Sequence, residues 1–320
     1  MKLHVLIDNL PNPANPALQH EHGLSILLQT DKGENYLIDT GASGKFIENL
    51  EILRQADSSL PSVEDIDAVI ISHGHNDHTG GLRRFLESNT TAPVYLHSSI
   101  QGNFFFSCRN REASATSPGI KEFRSIGMEQ ALFAEYPHRF HHTDTPTAIS
   151  NGITLLPTLP QRKYPTPMGN EFLYKNDFPD DFSHELITLI EYAPSCYAVV
   201  SPCTHNGILN VLEACVEHIS KLSGRVKEEC SAMISHFVGG LHYVDYLKME
   251  QGEKETASIL ETVQIIKDMY PAITVYSGHC TCAHAGNTIG SVLGNRYATF
   301  YSGCSIFSSC SSAATNPPIE

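Results

Sequence analysis

Short apolar runs bounded by loop-forming residues recur through the first third of the chain. They lie at residues 3–7, 24–28, 35–39, 69–71 and 92–97. Runs of this length, rich in Val, Ile and Leu, predict strands. Apolar residues at near-helical spacing predict helices over 45–53 and, after the turn at Gly80 and Gly81, over 82–87.

The second half of the chain repeats this alternation. Residues 184–192 and 196–201 predict a hairpin that turns at Pro194. Further strands are predicted at 232–238 and 273–276, and helices at 207–219 and 253–269. Alternating strands and helices over 320 residues predict an α/β protein, and we expect a single domain over residues 1–320.

Charge and composition limit the kinds of molecule that this protein is expected to bind. The formal net charge is −14 and no cluster of Lys and Arg occurs, so nucleic acid is disfavoured as a partner. No apolar run approaches the length of a membrane span and no leader is recognisable, so we expect a cytoplasmic protein with no membrane partner. The nine cysteines contain no Cys-x-x-Cys pair, which predicts reduced thiols rather than a disulfide framework.

The strand at 69–71 runs directly into a stretch with four potential metal ligands. His73 and His75 are two residues apart, so in an extended chain both rings face the same way and can bind one ion. Asp77 and His78 lie beyond the bend and can reach a second ion. Imidazole with a single carboxylate suits zinc best, with iron or manganese tolerated. The alternative is a histidine-rich surface loop whose rings only form hydrogen bonds.

The run from Ser72 to Gly81 resembles the metal-binding motif of the metallo-β-lactamase superfamily. Further stretches resemble its branch named for dihydropteroate or dihydropterin synthase activity. They lie at 21–25, 39–41, 201–210, 239–242 and 279–281. The resemblance implies a four-layered αβ/βα sandwich with one or two metal ions at one edge.

The resemblance also implies roles, as metal ligands or as supports of the site, for residues outside the stretch 72–81. His205, which follows the strand at 196–201, is expected as the third ligand of the first ion, and His279 matches the closing ligand of the second. Asp39 matches an aspartate that supports the metal loop from behind, although an aspartate at this position can also begin the helix at 45–53. Glu21 and His22 are expected at the rim of the site, or else in an ordinary turn.

The sequence departs from the superfamily pattern at the end of the strand at 232–238. Many members place a metal-bridging aspartate there, whereas this chain has Gly239, Gly240, Leu241 and His242. His242 is one candidate to replace the aspartate, and Asp181 is another. We treat Cys280 and Cys282 as packing residues, with a minor role in tuning the site as the alternative.

Residues 101–182 hold few regular patterns and many prolines. We interpret them as a variable insertion that covers the site and selects the substrate. Four basic side chains within it are candidates to receive an anionic group, or are solvated surface charges. They are Arg109, Arg111, Arg162 and Lys163.

The predicted site supports three classes of function. The first is hydrolysis of an ester, lactone, amide or phosphoryl bond of a small molecule by a one- or two-metal centre, with Asp77 orienting or deprotonating the nucleophile. The second, implied by the branch resemblance, is transfer of a phosphorylated pterin to an arylamine. The third is a di-iron redox protein or a non-catalytic binding protein, which the histidine-rich ligand set disfavours. The oligomeric state is not indicated by the sequence.

Overall fold

The structure is a computed structural model that describes residues 1–108, 122–245 and 249–307. Its strands are β1 (Lys2–Ile7), β2 (Ser25–Gln29), β3 (Asn35–Ile38), β4 (Ala68–Ile70), β5 (Val94–Leu96), β6 (Phe104–Cys108), β7 (Glu122–Ser125), β8 (Phe140–His142), β9 (Thr147–Ser150), β10 (Ile153–Pro157), β11 (Leu173–Lys175), β12 (Phe178–Pro179), β13 (Leu186–Ala193), β14 (Cys196–Val200), β15 (Ile234–Val238), β16 (Thr274–Ser277), β17 (Tyr297–Thr299) and β18 (Ser305–Phe307). Its helices are α1 (Phe46–Ala56), α2 (Asn76–Thr79), α3 (Leu82–Ser88), α4 (Leu132–Glu135), α5 (Ile208–Ser223), α6 (Lys227–Ala232), α7 (Met249–Met269) and α8 (Ala283–Leu293).

The fold is built around two large mixed β-sheets. In the first the strands are ordered β18-β1-β2-β3-β4-β5-β8, and in the second β17-β16-β15-β14-β13-β10-β9. The pairs from β3 to β8 are parallel, as are those from β14 to β17. In open sheets of this kind, ligands bind beyond the carboxyl ends of parallel strands. The loops that leave β3, β4, β14, β15 and β16 are therefore the ones placed to build a site.

Three apolar cores separate four layers. One core, which includes Val5 and Val200, lies between the two sheets. A second packs α1 and α3 on the outer face of the first sheet, with Phe46 and Phe85 fully buried. The third packs α5, α7 and α8 on the second sheet. The layers confirm the predicted αβ/βα sandwich, and residues of both sheets meet along one edge of it.

The interpretation of 101–182 as one insertion needs correction. Within it, β8 extends the first sheet, and β9 and β10 extend the second. A separate four-stranded sheet, ordered β12-β11-β6-β7, accounts for the remaining strands. The sequence does not reveal this division, because the segment is rich in proline and its strands of two to five residues carry little periodicity. Arg109 and Arg111 lie outside the described residues.

The predicted strands and helices in both halves of the chain are confirmed, with bounds that differ by a few residues. In the second half of the chain, the sequence analysis missed α6, α8, β17 and β18. Small residues dominate α8, which contains Gly286 and Gly290, so its apolar stripe is weak. β18 pairs with β1 and so closes the first sheet with a segment from the far end of the chain. No helix among the described residues has the length and apolar character of a membrane span.

The loop after β4 is held by close backbone contact with the turn that follows β3. Thr40 donates its backbone N–H to the carbonyl of His78 at 2.7 Å. The N–H of Gly81 donates to Gly41 at 3.2 Å. A Cβ at Gly81 would overlap the carbonyl oxygen of Thr40 and lie 2.7 Å from the nitrogen of Gly44. Only glycine lets these two backbones approach so closely.

Replacing Gly81 by Ala should therefore lower the free energy of unfolding by about 1–3 kcal/mol, the usual cost of overpacking. Gly252→Ala is the matched control, since Gly252 lies within α7 with no atom within 4 Å of the added Cβ. The control should be neutral or slightly stabilising. Urea denaturation followed by circular dichroism measures both variants. Equal stability of Gly81→Ala and the parent would contradict the packing described here.

Candidate metal centre

The loop after β4 brings two histidines of the predicted motif into contact. His73 Nε2 lies 3.1 Å from His75 Nδ1. His205, in the turn after β14, packs its ring 4.9 Å from the ring of each of them, measured between centroids. All three rings are buried. The structure thus brings together the three residues predicted for the first ion, and we call them the first histidine group.

The other predicted ligands form a second group beside the first. Asp77 and His78 lie on α2, a single helical turn that begins after His75. His78 Nε2 lies 3.0 Å from Nε2 of His279, which follows β16. The carboxylate oxygen Oδ2 of Asp77 is 3.4 Å from His279 Nε2 and 3.8 Å from His78 Nε2. We call these three residues the second group.

Hydrogen bonds on the outer side of the rings fix which nitrogen faces the centre. Nδ1 of His78 donates to Asp39 at 2.7 Å. Nδ1 of His205 lies 3.0 Å from Oδ1 of Asn170, and Nδ1 of His279 lies 3.0 Å from Oδ1 of Asn9. With Nδ1 protonated, each of these rings turns the lone pair of Nε2 inward. An outer hydrogen bond of this kind orients a histidine for metal binding.

Buried carboxylates anchor each turn that carries a ligand. Asp39 accepts hydrogen bonds from the backbone N–H and the hydroxyl of Ser72, at 2.7 and 2.6 Å. Glu185 accepts the N–H of His205 at 2.7 Å, and Asp8 accepts the N–H of His279 at 2.7 Å. The structure therefore places Asp39 behind the metal loop, and α1 has no side-chain cap from it.

Several of these turns have left-handed backbone conformations at residues other than glycine. The angle φ is 58° at Asp39, 57° at Thr204, 50° at His242 and 50° at His279. Such conformations cost free energy and persist where surrounding contacts enforce them. At Thr204 and His279 such contacts come from Glu185 and Asp8, which accept the N–H groups of His205 and His279.

Burial sets the charge state of the first group. It lowers the pKa of His75 to about 3. Burial, reinforced by the neighbouring histidines, lowers the pKa of His73 and His205 well below the usual value. Burial alone would raise the pKa of Asp77, but the histidines around it lower that pKa well below its usual range. Neutral imidazole and ionised carboxylate are the forms that bind metal.

The donor set fits a metal ion. The buried Nε2 atoms of His75 and His205 have no hydrogen-bond partner, which is costly for a polar atom inside a protein. The two Nε2 atoms of His78 and His279 approach to 3.0 Å, where their lone pairs would repel each other unless a proton or a metal ion lies between them. A cation between them stabilises this arrangement. The chain therefore contains possible metal-binding clusters of His, Asp and Cys side chains.

The remaining predicted residues lie around these groups. His22 is exposed, with Nε2 3.4 Å from the Asp77 carboxylate. Glu21 points to the turn after β3, where it accepts the N–H of Ala42 at 2.9 Å and the hydroxyl of Ser43 at 2.5 Å. His242 is buried, and its ring centroid is 4.1 Å from that of His205.

Neither aspartate of the 180–181 pair joins the metal groups. Asp181 is exposed and accepts the N–H of Ser183 at 3.0 Å, so it does not occupy the place of a bridging aspartate. Asp180 accepts Nε2–H of His184 at 3.1 Å, and its carboxylate lies 4.0 Å from His75 Nε2. Nδ1 of His184 in turn accepts the N–H of Gly74 at 3.2 Å. These two residues thus hold the metal loop from the side of the second sheet.

Sequence reasoning missed Asp8, Glu185 and Cys203. Asp8 and Glu185 act through hydrogen bonds to residues distant in sequence, which no local pattern reveals. Cys203 carried a usable signal, because it lies two residues before His205. None of the seven cysteines with described side chains forms a disulfide bond. Of the basic candidates, Arg162 donates to Asn206 at 2.6 Å. Neither it nor Lys163 lines the cavity beside the metal groups.

A cavity of about 870 Å³ opens beside both groups. His75, Asp77 and His279 form part of its wall, and the loop after β16 with the start of α8 forms another part. Arg124 supplies a positive charge, while aromatic and aliphatic side chains supply an apolar surface. The volume suits a small molecule rather than a polymer.

Asp39→Asn should weaken metal binding about 10- to 100-fold, the usual effect of losing the partner of a ligating histidine. The amide can no longer accept from both Ser72 and His78 as an anion does. Asp181→Asn is the control, because that carboxylate is exposed and bonds outside the groups. Competition with a chromogenic chelator measures both affinities. Unchanged affinity in Asp39→Asn would contradict the supporting role.

Part of the chain matches the profile of a known family, and most of it is similar to one curated protein. The sequence profile described as Metallo-beta-lactamase superfamily matches residues 20–150, which include the metal loop. The chain is 24% identical over 306 residues to the 7,8-dihydropterin-6-methyl-4-(beta-D-ribofuranosyl)-aminobenzene-5'-phosphate synthase of Methanocaldococcus jannaschii, covering 90% of each chain.

A solved structure shares the whole fold. It is Tm1679, described as a metal-dependent hydrolase of the beta-lactamase superfamily, with a TM-score of 0.67 and 22% identity. The match covers 97% of this chain and 99% of the other. The profile match places the metal loop in a segment similar to the metallo-β-lactamase superfamily, and the whole chain shares its fold with Tm1679.

Proposed function

We propose that this chain is a metal-dependent hydrolase with a dinuclear centre that binds zinc. The first ion is held by His73, His75 and His205, and the second by Asp77, His78 and His279. The observation that carries the proposal is the convergence of these buried imidazole rings and the Asp77 carboxylate, with no hydrogen-bond partner for Nε2 of His75 and of His205. A structural role would leave those buried nitrogens unsatisfied at considerable cost.

Metal ions held in these groups would supply Lewis acidity, which lowers the pKa of water toward neutrality and polarises a carbonyl or phosphoryl oxygen. Asp77 is the base in this proposal. Its carboxylate lines the cavity and is ionised, so it can orient the nucleophilic water and accept a proton from it. The exposed His22, 3.4 Å from that carboxylate, lies where it can pass the proton to solvent.

The cavity indicates the class of substrate. Arg124 faces it with a cationic group, and Phe106, Ile126 and Leu173 give it an apolar wall. A small molecule with an apolar or aromatic body and an anionic group fits both features. The bond that is cleaved is an ester, lactone, amide or phosphoryl bond near Asp77.

A second candidate function is supported by the synthase of Methanocaldococcus jannaschii, to which the chain is similar over most of its length. In that case the cavity would hold a phosphorylated pterin beside an arylamine, and the metal groups would hold the leaving phosphate. The same six ligands serve both functions. The two differ in whether water or an amine attacks.

Removal of metal should abolish turnover, and added zinc should restore it. Asp77→Asn should lower kcat by about 10²- to 10⁴-fold, the range expected when a general base is lost. Initial rates on lactone, thioester and phosphodiester probes, with metal content measured on the same samples, test both statements. The metal analysis separates loss of the base from loss of an ion.

Asp268→Asn is the control, since Asp268 is exposed on α7 and accepts a hydrogen bond from Gln264 at 3.0 Å, away from the metal groups. It should leave kcat unchanged. Full activity of Asp77→Asn with its metal retained would exclude Asp77 as the base. Product that forms only when an amine is added would replace the hydrolase proposal by the transferase.

A further inference from the structure

Cys203 lies between the two metal groups. It follows β14 in the turn that leads to His205, and it is only 3% exposed. Its sulfur lies within 4.8 Å of a ring nitrogen from His73 and one from His205. It also lies within 4.8 Å of ring nitrogens from His78 and His279. Among the described residues, no other side chain belongs to both of these donor sets.

The two residues that follow β15 are glycines, so they place no side chain in the space beside the sulfur of Cys203. A Cβ at Gly239 would overlap the carbonyl of Ser201, and a Cβ at Gly240 would lie 2.5 Å from the sulfur of Cys280. No side chain longer than that of glycine therefore fits at either residue. The two glycines leave the space beside the groups to the sulfurs of Cys203 and Cys280.

Cys280 and His242 hold the Cys203 side chain in place. The two sulfurs are 3.2 Å apart. Cys280 accepts the backbone N–H of His242 at 3.1 Å, and Nδ1 of His242 lies 3.6 Å from the sulfur of Cys203. Cys203 thus has neighbours on the side away from the histidine groups, which direct its sulfur toward them.

We propose that the thiolate of Cys203 is a ligand shared by the two metal ions, with Cys280 as a residue that positions it. This inference rests on the dinuclear centre proposed above. On metal binding the S–H bond breaks, the proton passes to solvent and a sulfur–metal bond forms. A thiolate makes the site softer and so favours zinc, iron or cobalt over manganese and magnesium.

Replacement of the bound metal by cobalt(II) gives a direct readout that does not depend on activity. Visible d–d absorption reports cobalt held by histidine and carboxylate, and a near-ultraviolet charge-transfer band reports a thiolate bound to cobalt. We expect both in the unmodified protein. Cys203→Ser should retain the visible absorption and lose the charge-transfer band, whereas Cys280→Ser should retain both.

Cys196→Ser is the matched control, because Cys196 lies at the opposite end of β14 from Cys203. Its spectrum should equal that of the parent. A charge-transfer band that persists in Cys203→Ser would overturn the proposal. Loss of the band in both Cys203→Ser and Cys280→Ser would also overturn it, since the ion would then lie among Cys203, Cys280 and His242.

The spectra separate this inference from the proposal on which it rests. Visible absorption without a charge-transfer band in the unmodified protein would leave the histidine centre intact and exclude the thiolate. Absence of any cobalt absorption would overturn the centre itself, and the shared thiolate with it.

Discussion

Burial of many ionisable side chains in one small volume is the constraint on which this structure depends. Five imidazole rings and Asp77 converge where the two sheets meet, and each must be neutral, paired or bound to a cation. Three buried carboxyl groups, those of Asp39, Glu185 and Asp8, meet part of this demand by accepting hydrogen bonds from the backbone or the outer nitrogen of the ligand turns. Unpartnered inner nitrogens remain, and these make the centre a place for a metal.

The same constraint explains the glycines around the site. The metal loop approaches the turn after β3 so closely that Gly81 has no room for a side chain. The end of β15 approaches the turn after β14 in the same way at Gly239. Close backbone contact from both sheets brings ligands from distant parts of the chain together. The four-layered fold therefore brings the loops after β3, β4, β14, β15 and β16 to one edge of the sandwich.

Much of this was predictable from the sequence, and the failures have a common cause. The apolar runs predicted most strands of both sheets. The spacing of His73, His75, Asp77 and His78 predicted that the loop after β4 carries metal ligands. Asp8 and Glu185 could not be predicted, because their roles depend on contacts to His279 and His205 across the fold. The division of 101–182 could not be predicted, because β8 pairs with β5 and β10 pairs with β13, and both partners are distant in sequence.

Elemental analysis of the protein purified without added metal tests the central claim most directly. The account predicts about two transition-metal ions per chain, chiefly zinc, since two groups of three ligands converge there. It also predicts that His205→Ala loses the ion of the first group. A protein that carries no metal as purified, and that takes up none on addition of zinc, would contradict the account.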